Sequence, residues 1–137
     1  MEKECNFCEI IERKRKAHIV YEDDATIAFL DINPVFKGHV LVIPKKHYPI
    51  FDDIPESVLG RLMEVAKKVS IAMEKELKCD GTFIGLNNKV SQSIPHVHLH
   101  VIPRKFGENM HGFFAPRIKY ESEEEAQQIC ETIKKGI

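Results

Sequence analysis

Three histidines at alternate positions, His96, His98 and His100, constrain this chain more than any other feature. They stand in Ser91-Gln92-Ser93-Ile94-Pro95-His96-Val97-His98-Leu99-His100-Val101-Ile102-Pro103-Arg104, separated and followed by aliphatic residues. Successive side chains of a strand point to opposite faces. The spacing therefore predicts a strand from Pro95 to Ile102 with three imidazoles on one face, roughly 6–7 Å apart per two-residue step. Val97, Leu99 and Val101 would enter a core on the other face. Each ring brings a donor and an acceptor that the fold has to satisfy, so a row of three points to chemistry rather than to packing. Metal ligation is one use, because paired strand histidines bind zinc. Work at a phosphate is the other: the segment holds no carboxylate, and Gln92 and Ser93 offer neutral hydrogen bonds suited to phosphate oxygens. The spacing alone leaves both open.

The remaining chain reads as one α+β domain on an antiparallel sheet. Its 137 residues suffice for a single core. Residues 17–22 and 25–31 read as strands around the Glu22-Asp23-Asp24 turn, and Asn33-Pro34 ends the pair. Gly38 precedes an apolar strand from His39 to Ile43. Pro55 suits a first helical turn. Val58, Leu62, Val65, Val69 and Met73 then recur at helical spacing, which predicts a long helix to about Lys78, ended by Cys79-Asp80-Gly81. Thr82 to Leu86 reads as a further strand. Ser122 with Glu125 forms a capping-box pattern for a C-terminal helix, whose apolar stripe is Ala126, Ile129, Cys130 and Ile133.

Lys plus Arg number 20 and Asp plus Glu 21, for a formal net charge of −1. Such a balance gives no global attraction to nucleic acid or to an anionic membrane. Met1-Glu2-Lys3-Glu4-Cys5 has no apolar signal core and no apolar run reaches membrane-spanning length, so a soluble, cytoplasmic protein is expected. Four cysteines in such a chain argue against a disulfide framework. Cys5-Asn6-Phe7-Cys8 is then a redox pair or half of a zinc site. Zinc needs two further ligands, and the residues alone do not choose them among seven histidines. Cys79 and Cys130 fall at helix positions and read as small apolar fillers.

His96-Val97-His98-Leu99-His100-Val101-Ile102, with Gln92 and Ser93 upstream, resembles the motif of the histidine triad (HIT) family. Phe29-Leu30-Asp31-Ile32 and Gly38-His39-Val40-Leu41-Val42-Ile43-Pro44-Lys45-Lys46-His47 resemble that family's two other blocks, in the right order, so the likeness covers roughly residues 5 to 120. The resemblance implies a five-stranded antiparallel sheet with one long helix and a C-terminal helix, commonly paired as a homodimer. It implies a nucleotide-binding hydrolase or transferase acting at the α-phosphate, on a nucleoside phosphoramidate or a dinucleoside polyphosphate, with adenine the default base. His98 would be the nucleophile, and His100 and Ser93 would contact the phosphate or leaving group. Gln92 would bond the phosphate edge and His39 would support the triad from behind. Asp31 would accept from the ribose hydroxyls beside Ile32, while Phe7, Ile10, Phe29 and Leu30 are candidates for the base. Asn87 would reach the substrate, although Lys89-Val90-Ser91 is shorter than the glycine-containing loop many members carry there. Residues 105–117, the segment that varies most between substrate classes, name no substrate. In the zinc-containing members the ligands match Cys5, Cys8, His47 and His96, which implies a closed structural zinc and no metal at the phosphate.

A neutral imidazole has one nitrogen with a free lone pair and can attack phosphorus, splitting one displacement into two. A nucleotide-binding regulatory module with slow turnover is the alternative reading. A zinc-dependent hydrolase using the triad as ligands is a third, and chelation would inactivate it.

Overall fold

The computed structural model describes residues 5–108 and 116–137. Its elements are α1 (Asn6–Ile11), β1 (Ile19–Glu22), β2 (Thr26–Leu30), β3 (Val40–Pro44), a 3₁₀ turn (Phe51–Asp53), α2 (Glu56–Glu76), β4 (Gly81–Gly85), β5 (Leu99–Arg104) and α3 (Glu123–Lys135). The five strands form one antiparallel sheet in the order β1-β2-β3-β5-β4. This is the α+β architecture expected, with the limits of β1 to β4 within about two residues of those read from the pattern.

Every residue of β2 and β3 is buried, because both faces of the sheet are covered there. Ala28, Leu30, Val40, Val42, Leu99 and Val101 pack against Leu62, Val65, Val69 and Met73 of α2, with Ala126, Cys130 and Ile133 of α3 closing that layer. Ile27, Phe29, Leu41 and Ile43 point the other way, against Phe7 and Ile10 of α1. Full burial of each such aliphatic or aromatic side chain contributes about 1.5–3 kcal/mol, so the two layers hold the central strands from both sides.

Three features differ from the sequence reading. The helix α1 was not foreseen: it is one and a half turns long, and Cys5 caps it, its Sγ accepting from the Cys8 N–H at 3.3 Å. The histidine strand is also shorter than its alternation suggests. Regular pairing begins at Leu99, so His96 and His98 precede β5. The ladder from β3 to β5 runs Val42↔Leu99, Leu41↔His100 and Val40↔Val101 and stops there. Beyond it, Pro95 has no N–H to donate, the Val97 N–H goes to the Tyr48 carbonyl, and the Pro44 carbonyl takes the His96 ring instead. Cys79 likewise lies after α2 rather than on it; the helix ends at Glu76, and Lys78 takes a left-handed φ of 59°.

Candidate active site and metal cluster

The register sets a row of residues across one face of the sheet: Phe29 opposite Leu41, Leu41 opposite His100, and His100 opposite Gly85. Directly paired residues project to the same side, and this is the face that α1 covers only in part. A cavity of about 470 Å³ opens over it, lined by Phe29, Leu41, His98 and His100 together with Asp31, Ile32, Ser93, Phe7, Ile10, Leu30 and Arg117.

Obligatory donors and acceptors around the histidines fix which nitrogen carries each proton. The Val35 N–H donates to His39 Nδ1 at 3.1 Å, so the His39 proton sits on Nε2. That Nε2–H donates to His100 Nδ1 at 2.9 Å, which leaves the His100 proton on its own Nε2. His98 Nδ1–H donates to the His96 carbonyl at 2.8 Å, so the remaining lone pair of His98 is on Nε2, in a ring that lines the cavity. Burial lowers the basicity of all three. His39, fully enclosed, is pushed down to about 2 and His100 to about 3; His98 is lowered by the same cause. The charge of Arg117 adds to this at each of the three rings. The triad is therefore neutral at pH 7, with one ring nitrogen able to act as a nucleophile.

His39 reaches this position through Gly38, whose φ of +100° would strain any other residue. The Asp31 carboxylate, at the end of β2, caps the following turn by accepting from the Asn33 N–H at 2.9 Å through Oδ1. Its Oδ2 accepts from Arg117 at 2.9 Å and lies 3.8 Å from His39 Nε2. Ile32 stands exposed at the cavity mouth. Asn87 and Gln92 turn elsewhere. Asn87 donates to the Ser91 carbonyl, while the Gln92 amide donates to the Pro49 and Ile94 carbonyls and accepts from the Lys89 N–H. Gln92 thereby ties the loop ahead of the triad to the loop after β3. Of residues 105–117, Asn109 to Ala115 lie outside the described residues.

Sequence reasoning left Arg117 without a role. Its guanidinium also donates to the Asn33 carbonyl at 2.6 Å, and Ile118 N–H donates to the Pro34 carbonyl. A contact spanning more than eighty residues carries no local pattern from which to read it.

A second cluster adjoins the first. Cys5, Cys8, His47 and His96 place one ligand atom each within 4.8 Å of one another. His96 Nδ1 is 3.6 Å from Cys5 Sγ, 3.5 Å from Cys8 Sγ and 3.1 Å from His47 Nδ1; Cys8 Sγ is 3.2 Å from His47 Nδ1. A tetrahedron with Zn–S of about 2.3 Å and Zn–N of about 2.0–2.1 Å has edges of about 3.3–3.8 Å, so the observed separations fall at or slightly inside it. The ring of His96 is also in the required tautomer: its Nε2–H donates to the Pro44 carbonyl at 2.8 Å and its Nδ1 lone pair faces the sulfurs. Burial, which pushes His96 down to about 4, keeps it neutral as a ligand must be. The residues fit zinc. They join α1, the turn after β3 and the approach to β5, and the His96 carbonyl that orients His98 belongs to the same cluster.

The HIT domain model matches residues 12–107, and the chain belongs to that family. It is 46% identical over 106 residues to an HIT-like protein of Methanocaldococcus jannaschii, covering 76% of this chain and 81% of that one. An adenylylsulfatase of Arabidopsis thaliana is 37% identical over 107 residues, 77% of this chain and 54% of the plant protein. A bis(5′-nucleosyl)-tetraphosphatase of Schizosaccharomyces pombe is 37% identical over 98 residues, 68% and 54% of the two chains. A zinc-bound histidine triad family structure from Mycobacterium smegmatis superposes with a TM-score of 0.82 at 28% identity, covering 96% of this chain and 91% of that one. Among the described residues no helix is long and apolar enough to cross a membrane.

Proposed function

We propose that this protein is a nucleotide hydrolase or nucleotidyl transferase that works through a covalent intermediate on His98. The observation that carries this is the hydrogen bond from His98 Nδ1–H to the His96 carbonyl, which leaves Nε2 as the lone-pair nitrogen of a neutral ring lining the cavity. Nε2 attacks the α-phosphorus, a P–N bond forms, and the bond to the leaving group breaks with its electron pair. Water then attacks the same phosphorus, the P–N electrons return to Nε2, and the water's proton passes to solvent, replacing the one the departing group takes up. His100, its proton held on Nε2 by the bond from His39, donates a hydrogen bond to a phosphoryl oxygen or to the departing atom, oxygen in a polyphosphate and nitrogen in a phosphoramidate. Ser93, which lines the same cavity, adds a hydroxyl. Stabilising and positioning charge in this way is most of phosphoryl-transfer catalysis.

Asp31 holds the ribose, and the apolar wall of Phe7, Ile10 and Phe29 takes the base, adenine by preference. The substrate is a nucleoside phosphoramidate or a dinucleoside polyphosphate. The activities of the plant and yeast relatives support a phosphoanhydride-type leaving group at a nucleotide. Zinc on Cys5, Cys8, His47 and His96 is structural, and the working form is a cytoplasmic homodimer of single-domain chains.

Incubation with adenosine 5′-phosphoramidate and with a diadenosine polyphosphate tests the reading. The wild type should release AMP from at least one. His98→Asn should lose turnover while binding AMP within about tenfold of wild type, because attack is lost and most contacts stay. Undiminished turnover in the variant would overturn the assignment.

A further inference from the structure

The cavity has a polar edge that the nucleotidyl chemistry does not use. His98, His100, Ser93 and Asp31 line the cavity together with residues of α1 and residues 15–17. The Phe7 ring lies 5.1 Å from His98 and 5.5 Å from Phe29. Asn6 and Arg15, both exposed, line the same cavity as Phe7, Ile10 and Phe29. Arg15 Nη2 donates to Asn6 Oδ1 at 2.9 Å, and Arg15 Nε donates to Glu9 Oε1 at 3.0 Å.

We propose that the Asn6 side-chain amide, pinned by Arg15, reads the edge of the base and selects adenine over guanine. The inference rests on the nucleotide-binding reading above and adds the residue that sets the base. A guanidinium has donors and no acceptor, so the amide atom facing Arg15 is the oxygen. Asn6 thus presents its second oxygen lone pair and the Nδ2 donors in a fixed order. An acceptor beside a donor complements adenine on both of its edges: the 6-amino group with N1, and the 6-amino group with N7. Guanine offers two acceptors, O6 and N7, on the latter edge, and reverses the order on the former. An unpinned amide could turn over to meet the reversed order; the bond from Arg15 prevents it. Glu9 holds the guanidinium in place for this task, and since Asn6 is exposed at the rim the discrimination is at the lower end for a bidentate pair, about tenfold.

The test is the ratio of AMP to GMP dissociation constants, by calorimetry on the zinc-loaded protein, which does not depend on turnover. Wild type should favour AMP about tenfold. Asn6→Asp replaces the donor by a second acceptor, which suits the N1–H and 2-amino donors of guanine, and should shift the ratio at least tenfold toward GMP. Arg15→Met, outside the cysteine pair, should bring the ratio close to one while leaving zinc content unchanged. Zinc content and melting temperature of Asn6→Asp show whether the variant is intact; if it is not, Arg15→Met decides. Wild-type binding of both nucleotides with a ratio that neither variant moves would overturn this inference and leave the nucleotide reading standing. Failure of the wild type to bind either nucleotide would overturn both.

Discussion

The lone pair of His98 is directed by a peptide carbonyl, not by a side chain. His96 supplies that carbonyl, and no substitution of a neighbouring side chain removes it directly. Asp31 differs: both of its oxygens are engaged by protein donors, Asn33 N–H on one and Arg117 on the other. In the nucleotide site proposed above a carboxylate would repel the phosphate unless neutralised, and Arg117 supplies the opposite charge. Arg117→Gln should therefore weaken AMP binding by about tenfold, worth about 1.4 kcal/mol, and weaken adenosine binding much less. Titration of the two ligands side by side checks this. Equal losses for the neutral and the charged ligand would make Arg117 a tether for residues 116–118 and nothing more.

At the level of elements, α1 is where sequence and structure parted, and the reason is physical. Six residues with a cysteine at the cap, in place of Ser, Thr, Asp or Asn, lack both the length and the start signal from which helices are read. The helix is held by its buried Phe7 and Ile10 and by the cluster that Cys5 and Cys8 share with His47 and His96. By contrast α2 and α3 carried their apolar stripes openly, and Ser122 caps α3 as its pattern predicted, accepting from the Glu125 N–H at 3.0 Å. The triad was legible because alternation at His96, His98 and His100 is a local signal. The end of the strand at Leu99 was not, since it depends on where β3 stops offering partners. If the cluster holds zinc, Cys5→Ser should lose the metal and lower the melting temperature together, because metal affinity here is partly folding free energy. Elemental analysis and thermal unfolding of the two proteins check it; a metal-free variant that melts as the wild type does would detach α1 from the cluster.

Across the whole molecule, a neutral triad ties stability to pH. His39 and His100 titrate near 6.5 when unfolded and at about 2 and about 3 when folded, both because burial disfavours the charged ring. The unfolded chain therefore binds more protons below pH 6.5, and stability is full above that value and falls as pH drops toward the folded values. The expected slope is about 1.4 kcal/mol per pH unit for each ring. Denaturant unfolding between pH 7 and 5 should show this loss, and His100→Asn should reduce its slope; a flat profile would mean the rings are not held neutral. The fold brings the neutral row, the Asp31 carboxylate and the Cys/His cluster to one face of one sheet, and the central claim is that His98 on that row becomes covalently nucleotidylated. Mixing wild type with adenosine 5′-phosphoramidate, stopping the reaction without acid and measuring intact mass tests it most directly. An adenylyl adduct that maps to His98 is expected in the wild type and is absent from His98→Asn. AMP release by the wild type with no adduct at any time in the first turnover, and with His98→Asn still active, would contradict it.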